Sequence, residues 1–538
     1  MRGLYERVLE EVARGAALPT PRPPRPSASV VLWRRAATGV EVFWIERAPS
    51  LPFMGGFHAF PGGGISRADG AVVVSGRPRG IDDASVEAAM PEAVLDGVDL
   101  EPNLIPGLLA GTVRELFEET GLLLARRLID QREEAARLEA RLSRARLDLE
   151  ARRLRFDELL SALELTIEVD ELVYAGRWLT PPLGPLRFDN RFFLLEWPPE
   201  RPQQPRVVSG EAVGGEWIRP SDALCRWRQG EITTAPPILH TLRVLDEQGA
   251  ETGLDRLREP WEANAGPYRW IEFRPGVALF PLKTPTLPPA GFTNCYLLGM
   301  DEAVLVDPGS PWPGEIDRLA AALEAVRSSR GRRVSAIWLT HHHPDHIGGV
   351  EELRRRLEVP VAAHRETAAH LRSLGIPVDD ELEDGRVHDL AGDATFPVRT
   401  VFTPGHARGH LCFYDETYGS LLAGDLVAGV GTIVIDPPEG DMAQYLASLA
   451  RVRDLAPRAL FPAHGPITVT AATKLQETID HRRWREARIL DAWRSGIRQP
   501  EALCAAAYDD IPAVARPLAA RQVQAHLEHL GAAGELED

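Results

Sequence analysis

The sequence predicts an α+β chain of several domains, and three observations carry that expectation. At 538 residues the chain is too long for one hydrophobic core. Between about residues 268 and 470, strands followed by helices occur in two successive sets. Beyond residue 470 only helical segments remain, punctuated by Pro512 and Pro517. The expected organisation is a lead-in over 1–26 and a first domain over 27–247, with a loop insertion at 64–110 and a helical insertion at 124–163. A linker at 248–267, a second domain at 268–470 and a small tail at 471–538 follow.

Composition narrows the class. With 44% hydrophobic and 26% charged residues the chain reads as a soluble globular protein. A net charge of -17 argues against a dedicated polyanion binder. No apolar run approaches about 18 residues, so no membrane span is expected. The segment from Met1 to Pro26 is rich in Arg and Pro without an apolar core, unlike a signal peptide. Cys225, Cys295, Cys412 and Cys504 are scattered and fit neither a zinc ribbon nor a disulfide framework, which points to a reducing cytoplasm.

In chain order, Pro19 to Pro26 reads as an extended lead-in. Ala28 to Trp33 and Val40 to Ile45 read as two strands around a turn at Thr38-Gly39. A glycine-rich run follows from Arg47 to Gly63 and allows a tight backbone path beside a ligand. The stronger signal is Arg114-Glu115-Leu116-Phe117-Glu118-Glu119-Thr120-Gly121-Leu122. A helix brings Glu115, Glu118 and Glu119 to one face, where their repulsion is relieved by a hard cation such as Mg²⁺. Gly121 stops that helix. Leu123 to Leu163 carries Leu138, Leu142 and Leu149 at helical spacing and reads as a long helix or helical hairpin with a solvated charged face.

The Arg114–Leu122 run resembles the second half of the Nudix box. Phe53-Met54 through Phe60-Pro61-Gly62-Gly63, Trp178-Leu179-Thr180-Pro181, Arg187 to Phe193 and Glu216-Trp217-Ile218 resemble the peroxisomal coenzyme A diphosphatase branch. The resemblance implies an α/β/α sandwich that cleaves a nucleoside diphosphate derivative. Glu115, Glu118 and Glu119 would hold Mg²⁺ or Mn²⁺, with Arg114, Glu118 and Glu119 in catalytic roles. The sequence departs from a compact box: a long insertion separates Gly63 from Arg114, and the glutamate of the first half is not identifiable.

The second domain is organised around Thr340-His341-His342-His343-Pro344-Asp345-His346-Ile347-Gly348-Gly349. Its imidazoles and carboxylate demand polar partners, and a divalent metal satisfies them together. Val334 to Leu339 reads as a buried strand and Gly349 precedes an amphipathic helix, so the run sits in a strand-to-helix loop. It resembles the metallo-β-lactamase signature. The later Thr403-Pro404-Gly405-His406, Leu422-Ala423-Gly424-Asp425 and Pro462-Ala463-His464-Gly465 resemble that family's remaining ligand loops. Val304 to Gly309, which holds Asp307, and Thr293-Asn294-Cys295-Tyr296 resemble its supporting strands.

The resemblance implies an αββα sandwich with two Zn²⁺. His341, His343 and His406 would hold one ion, Asp345, His346 and His464 the second, and Asp425 would bridge them. Such a pair supplies a hydroxide near neutral pH and a Lewis acid, with Asp345 also in a catalytic role. His342, His364, His370, His388 and His410 read as supporting or surface residues, with His410 the one among them expected to line the pocket.

The tail resembles the winged helix of a metallo-β-lactamase subfamily that includes a single-strand endoribonuclease, with a short wing at Gly531 to Leu536. Arg482, Arg483, Arg485 and Arg488 read as an exposed face, the alternative being a phosphate-binding strip. The expected activity is hydrolysis of a small ester or thioester, acyl-CoA among them, joined to Nudix cleavage of a diphosphate such as coenzyme A. The alternative is a single-strand endoribonuclease with a nucleotide-binding, non-catalytic Nudix domain.

Overall fold

Alternate residues of the first two strands face different cores. In β1 (Arg25–Ala36) and β2 (Gly39–Arg47), Val30, Leu32, Phe43 and Ile45 pack into one apolar cluster, while Val31, Trp33, Val42 and Trp44 pack into another. A strand buried on both faces is apolar throughout, so these runs lack a polar side. The computed structural model describes residues 24–37, 39–80, 104–127, 135–181, 186–208, 210–258, 271–287, 289–511 and 516–536. Nearly all of the expected lead-in, the middle of the loop insertion and the second part of the linker lie outside the described residues. The chain divides into two compact units, Pro21–Arg274 and Pro275–Asp538.

In the first unit, β1 and β2 join β3 (Val173–Leu179), β4 (Phe188–Glu196) and β5 (Ala212–Ile218) in the order β5-β2-β1-β4-β3. Only the β1–β4 pair in this path is parallel. The helix α1 (Leu104–Thr120) covers one face through Leu108, Val113, Leu116 and Phe117. Helix α4 (Pro236–Thr252) covers the other through Ile238, Leu239 and Leu242. Burial of each such side chain contributes about 1.5–3 kcal/mol. The result is the expected α/β/α sandwich.

Several local expectations are corrected here. Leu104 to Ala110, expected in the loop insertion, already belong to α1, because Leu108, Leu109 and Ala110 are needed in the core. The helical insertion forms α2 (Ala135–Glu150) and the shorter α3 (Phe156–Ala162). Its charged face is not wholly solvated. Arg146 is buried and donates to Glu118 O at 2.7 Å and Arg206 O at 2.8 Å, satisfying a carbonyl near the end of α1. Residues 248–258, expected to begin a polar linker, instead hold the kinked end of α4, with Gly249 at φ 77°, and a further short helix at Leu254–Arg258.

The second unit stacks two sheets. One runs β6 (Val277–Lys283), β7 (Phe292–Gly299), β8 (Glu302–Val306), β9 (Arg333–Trp338), β10 (Val361–Ala363) and β11 (Asp380–Glu381) in sequence order. The other is five-stranded, β12 (Val387–Leu390), β13 (Phe396–Phe402), β14 (Leu411–Asp415), β15 (Ser420–Gly424) and β16 (Ala459–Pro462), again in sequence order. Helices α5 (Pro313–Arg330) and α6 (Val350–Leu357) accompany the first sheet, and α7 (Met442–Asp454) the second. This is the αββα arrangement.

The tail comprises α8 (Ala471–Arg494), α9 (Pro500–Ala507) and α10 (Arg516–Ala532). No wing forms over the described part of Gly531 to Leu536. Helix α10 continues to Ala532, and Gly534, at φ 74°, then lets Glu535 N return to Leu530 O at 2.9 Å. Of the four arginines expected on an exposed face, only Arg483 is exposed. Arg482 and Arg485 are buried, and Arg485 is clamped by both oxygens of Asp510 at 2.7 and 2.8 Å. Arg488 donates to Ala506 O and Asp509, each within 2.8 Å.

Candidate active sites

The histidine-rich loop leaves β9 at Trp338 and is pinned from below by Asp307, at the end of β8. Asp307 adopts φ 51°, a left-handed conformation that aspartate tolerates better than most residues. Its carboxylate accepts from Thr340 N at 2.8 Å and from Thr340 Oγ1 at 2.6 Å, and it lies 2.8 Å from His346 Nδ1. Partners of this kind set which imidazole nitrogen faces the site. His406 Nδ1 donates to Val434 O at 2.7 Å, and His464 Nδ1 lies 3.2 Å from Phe292 O. Each therefore turns Nε2 toward the cluster. The His464 loop is tied in turn by Asn294 Nδ2, which donates to Pro462 O and Gly465 O at 2.9 Å, and by Tyr296 OH to Pro462 O.

The donor atoms converge. His341 Nε2 and His406 Nε2 both lie 2.9 Å from His343 Nδ1, more than a single proton between two nitrogens can satisfy. His464 Nε2 stands 3.3 Å from Asp425 Oδ1 and 3.5 Å from Asp345 Oδ2. His346 Nε2 is 3.6 Å from Asp425 Oδ1, and His406 Nε2 is 3.4 Å from Asp425 Oδ2. The buried His346 Nε2 and Asp425 Oδ1 have no hydrogen-bond partner. Three sets fit a metal ion within this centre: His341/His343/His406, His341/His346/Asp425 and Asp345/His346/His464. The residues fit a two-ion site with Asp425 between the ions, and nitrogen–oxygen donors suit zinc among other divalent metals.

The electrostatics favour positive charge at this point. Burial pulls the His346 pKa down, but Asp345, Asp425 and Asp307 outweigh it and raise it to about 10. Burial and the charge of neighbouring His343 lower His406 to about 4. The nearby carboxylates thus hold a proton where a cation would sit.

The expected supporting histidines divide. His410 is fully buried, and its Nε2 accepts from Asp425 N at 3.0 Å while Nδ1 meets Thr403 Oγ1 at 2.8 Å, so it fixes the Asp425 loop from behind rather than lining the pocket. His364 stacks on Phe402, and His388 meets Trp338 edge to face. His342 stacks on His370 and pairs with Glu439 at 3.0 Å, and Glu439 lies 3.9 Å from His343 Nε2. Glu439 escapes sequence reading because only the chain path after β15 brings it there. His342, His343 and Glu439 also lie close enough for an ion. With His343 Nδ1 turned toward the cluster, its Nε2 faces Glu439 at 3.9 Å, beyond hydrogen-bond range.

The acidic helix builds a second centre in the first unit. Arg114 Nη1 donates to Glu115 at 2.9 Å and Glu118 at 3.0 Å. Its Nε and Nη2 grip the two oxygens of buried Asp69 at 2.8 and 3.0 Å. Asp69 is the acid missing from the sequence reading. It stands six residues after Gly63 and is one methylene shorter than glutamate, so spacing from the glycine was the available signal. Glu119 Oε2 accepts from Gly62 N at 2.7 Å, and its buried Oε1 has no partner. Gly63 has no room for a side chain, since a Cβ would lie 2.6 Å from the Glu115 carboxylate.

Burial raises Glu115 to about 7 and, with repulsion from Glu115, raises Glu119 to about 8. An unpartnered buried oxygen beside two more carboxylates fits a Mg²⁺- or Mn²⁺-type ion. These groups line a cavity of 1550 Å³ whose walls include Phe53, Phe57, Trp178 and Phe188.

A family model described as the metallo-beta-lactamase superfamily matches residues 288–464, a NUDT19 Nudix domain model matches 12–245, and a beta-lactamase associated winged helix domain matches 500–536. The chain is 31% identical over 260 residues to a beta-lactamase-like protein 2 homolog of Drosophila melanogaster, covering 45% of this chain and 84% of that protein. It is 30% identical over 203 residues to the Caenorhabditis elegans homolog, covering 37% of this chain and 64% of that one. It is 34% identical over 211 residues to an atrochrysone carboxyl ACP thioesterase of Aspergillus fumigatus, covering 38% and 61%. The chain thus spans about three fifths of the length of the nematode and fungal relatives.

Among solved structures, a metallo-beta-lactamase family protein from Thermus thermophilus aligns at TM-score 0.40 and 26% identity, covering 49% of this chain and 95% of that one. A NUDIX hydrolase from Alicyclobacillus acidocaldarius aligns at TM-score 0.33 and 29% identity, covering 44% and 97%. Among the described residues no helix is long and apolar enough to cross a membrane.

Proposed function

From the premise that the chain belongs to the metallo-beta-lactamase superfamily and carries a Nudix domain and a winged-helix tail, we propose a bifunctional metallohydrolase. Its second unit hydrolyses a small ester or thioester, and its first cleaves a nucleoside diphosphate derivative such as coenzyme A. In this reading His341, His343 and His406 hold one ion, Asp345, His346 and His464 hold the other, and Asp425 lies between them. When bound, the ions offset negative charge on the oxygen under attack and make water nucleophilic near neutral pH. The chain's own residues orient the reaction. Asp307, Val434 O and Phe292 O hold three imidazoles in the productive tautomer, and Asp345 is the carboxylate placed to accept a proton. In the first unit Glu115, Glu118 and Glu119 hold Mg²⁺ or Mn²⁺, Arg114 keeps their carboxylates aligned, and the aromatic walls take the apolar part of the substrate.

The choice of thioester over RNA rests on one observation. Arg485 is buried in an ion pair and Arg482 is buried against Ile433 O, so the run from Arg482 to Arg488 presents only Arg483 openly and is not the continuous basic strip an RNA chain would follow. The similarity to a thioesterase supports the same reading. A panel of acyl-CoA, coenzyme A and single-stranded RNA tests it, with His406→Ala and Glu118→Gln as separate knockouts. Thioester turnover should vanish in His406→Ala and persist in Glu118→Gln, with the reverse for diphosphate cleavage. Zinc-dependent RNA cleavage lost in His406→Ala, without thioester turnover, would reverse the assignment. Equal loss of both activities in both variants would refute two independent sites.

A further inference from the structure

The tail helices reach the metal centre through one extended segment. Residues 432–436 have no regular secondary structure, yet Ile433 and Ile435 are buried in the same apolar cluster as Leu475 and Ile479 of α8 and Ala525 of α10. In an extended chain, the backbone polar groups of residues 433 and 435 point one way and those of residue 434 the other. Gln522, buried on α10, meets the first set: Nε2 donates to Ile433 O at 2.8 Å, and Oε1 accepts from Ile435 N at 3.3 Å. One side-chain amide thereby imitates a neighbouring strand. Arg482 of α8 donates to Ile433 O as well, and Arg521 of α10 binds Asp436 and Pro437 O. On the opposite edge Val434 O accepts the Nδ1 proton of His406 at 2.7 Å.

We propose that the C-terminal helices act as a positioning element for the metal centre. Gln522 fixes the direction of Val434 O and, through it, the tautomer and ring orientation of His406. This rests on the reading of His406 as a metal ligand. The chemistry requires it: His406 offers an Nε2 lone pair only while its proton stays on Nδ1. Partners behind a metal ligand typically govern affinity by 10- to 100-fold, and Gln522, one step further back, belongs near the lower bound.

The test uses the full chain. Gln522→Met keeps the side-chain length and removes both hydrogen bonds, and Gln524→Ala alters a residue of the same helix that bonds Glu528. Zinc affinity is read by chelator competition and the ligand field by the visible spectrum of the cobalt-substituted protein, with folding checked by circular dichroism. Gln522→Met should bind one of its ions about 10-fold more weakly, with an altered cobalt band and a lower kcat at unchanged KM. Gln524→Ala should match wild type. Should the methionine variant fail to fold, Gln522→Glu retains the acceptor for Ile435 N and gives the same readout.

Two ions bound with unchanged affinity and spectrum in a folded Gln522 variant would overturn the proposal and leave the metal centre standing. A wild-type chain that takes up no divalent metal, like His343→Ala, would instead overturn the metal reading beneath it.

Discussion

Replacing Glu119 by glutamine should make the metal-free first unit more stable at pH 8 and nearly unchanged at pH 5. Glu119 is buried, and burial with repulsion from Glu115 moves its pKa from 4.5 to about 8. The folded pKa is raised, so the native state binds more protons than the unfolded one between those values. Stability therefore falls as pH rises through that window. At 1.36 kcal/mol per unit the charged carboxylate costs on the order of 4 kcal/mol at pH 8. Glutamine stays neutral and keeps the acceptor for Gly62 N. Its amide N–H takes the place of the unpartnered Oε1, a penalty of about 1–3 kcal/mol that a protonated carboxyl at pH 5 shares.

The gain between pH 5 and pH 8 should therefore be about 2–4 kcal/mol. Native-state hydrogen exchange of the amides in α1, without metal, reads it locally, which matters in a chain of several units. Mn²⁺ should restore protection at pH 8 in wild type and little in Glu119→Gln. Equal protection of the two proteins at pH 8, or equal rescue by Mn²⁺, would refute a buried, destabilised metal-binding carboxylate.

Three further outcomes are expected. Asp425→Ala should lose at least one ion per chain by elemental analysis, and full occupancy would show that Asp425 does not bridge. Metal uptake at pH 7 should release protons, because His346, raised to about 10, must deprotonate before it ligates; affinity should rise by up to about tenfold per pH unit for that proton. Calorimetry in buffers of different ionisation enthalpy checks this. Asp69→Asn weakens the charged clamp on Arg114 and should lower diphosphate cleavage about 10- to 100-fold, following the 1.5–3 kcal/mol of a charged hydrogen bond. Hydrolysis at the second centre should not change.

Local patterns carried the expectations that the fold satisfies. Two apolar runs around the turn at Thr38-Gly39 announced β1 and β2, and the i, i+3, i+4 carboxylates announced a helix whose end falls at Gly121. These signals survive because strand alternation and helix pitch act over a few residues. Ligand types were legible for a similar reason, since His341, His343, Asp345 and His346 share one loop. Arg482 and Arg485 of α8 were misread because a charged residue in an amphipathic helix looks solvated until a partner is seen. Asp510 and Ile433 O, which receive Arg485 and Arg482, arrive from other elements. The wing expected after α10 failed on a local competition, the helix continuing to Ala532 before Gly534 ended it.

By itself the sequence determined the donor chemistry: which imidazoles and carboxylates are available, on which loops, and the helix that displays Glu115, Glu118 and Glu119. Only the tertiary structure decided which atom of each donor faces the site. Asp307 and Val434 O select Nε2 of His346 and His406, Glu439 stands behind His343, and Asp69 locks Arg114. Tautomer and orientation are set by hydrogen bonds between residues far apart in the chain. No run of neighbouring residues encodes such bonds, because they exist only once packing has brought the partners within about 3 Å of each other.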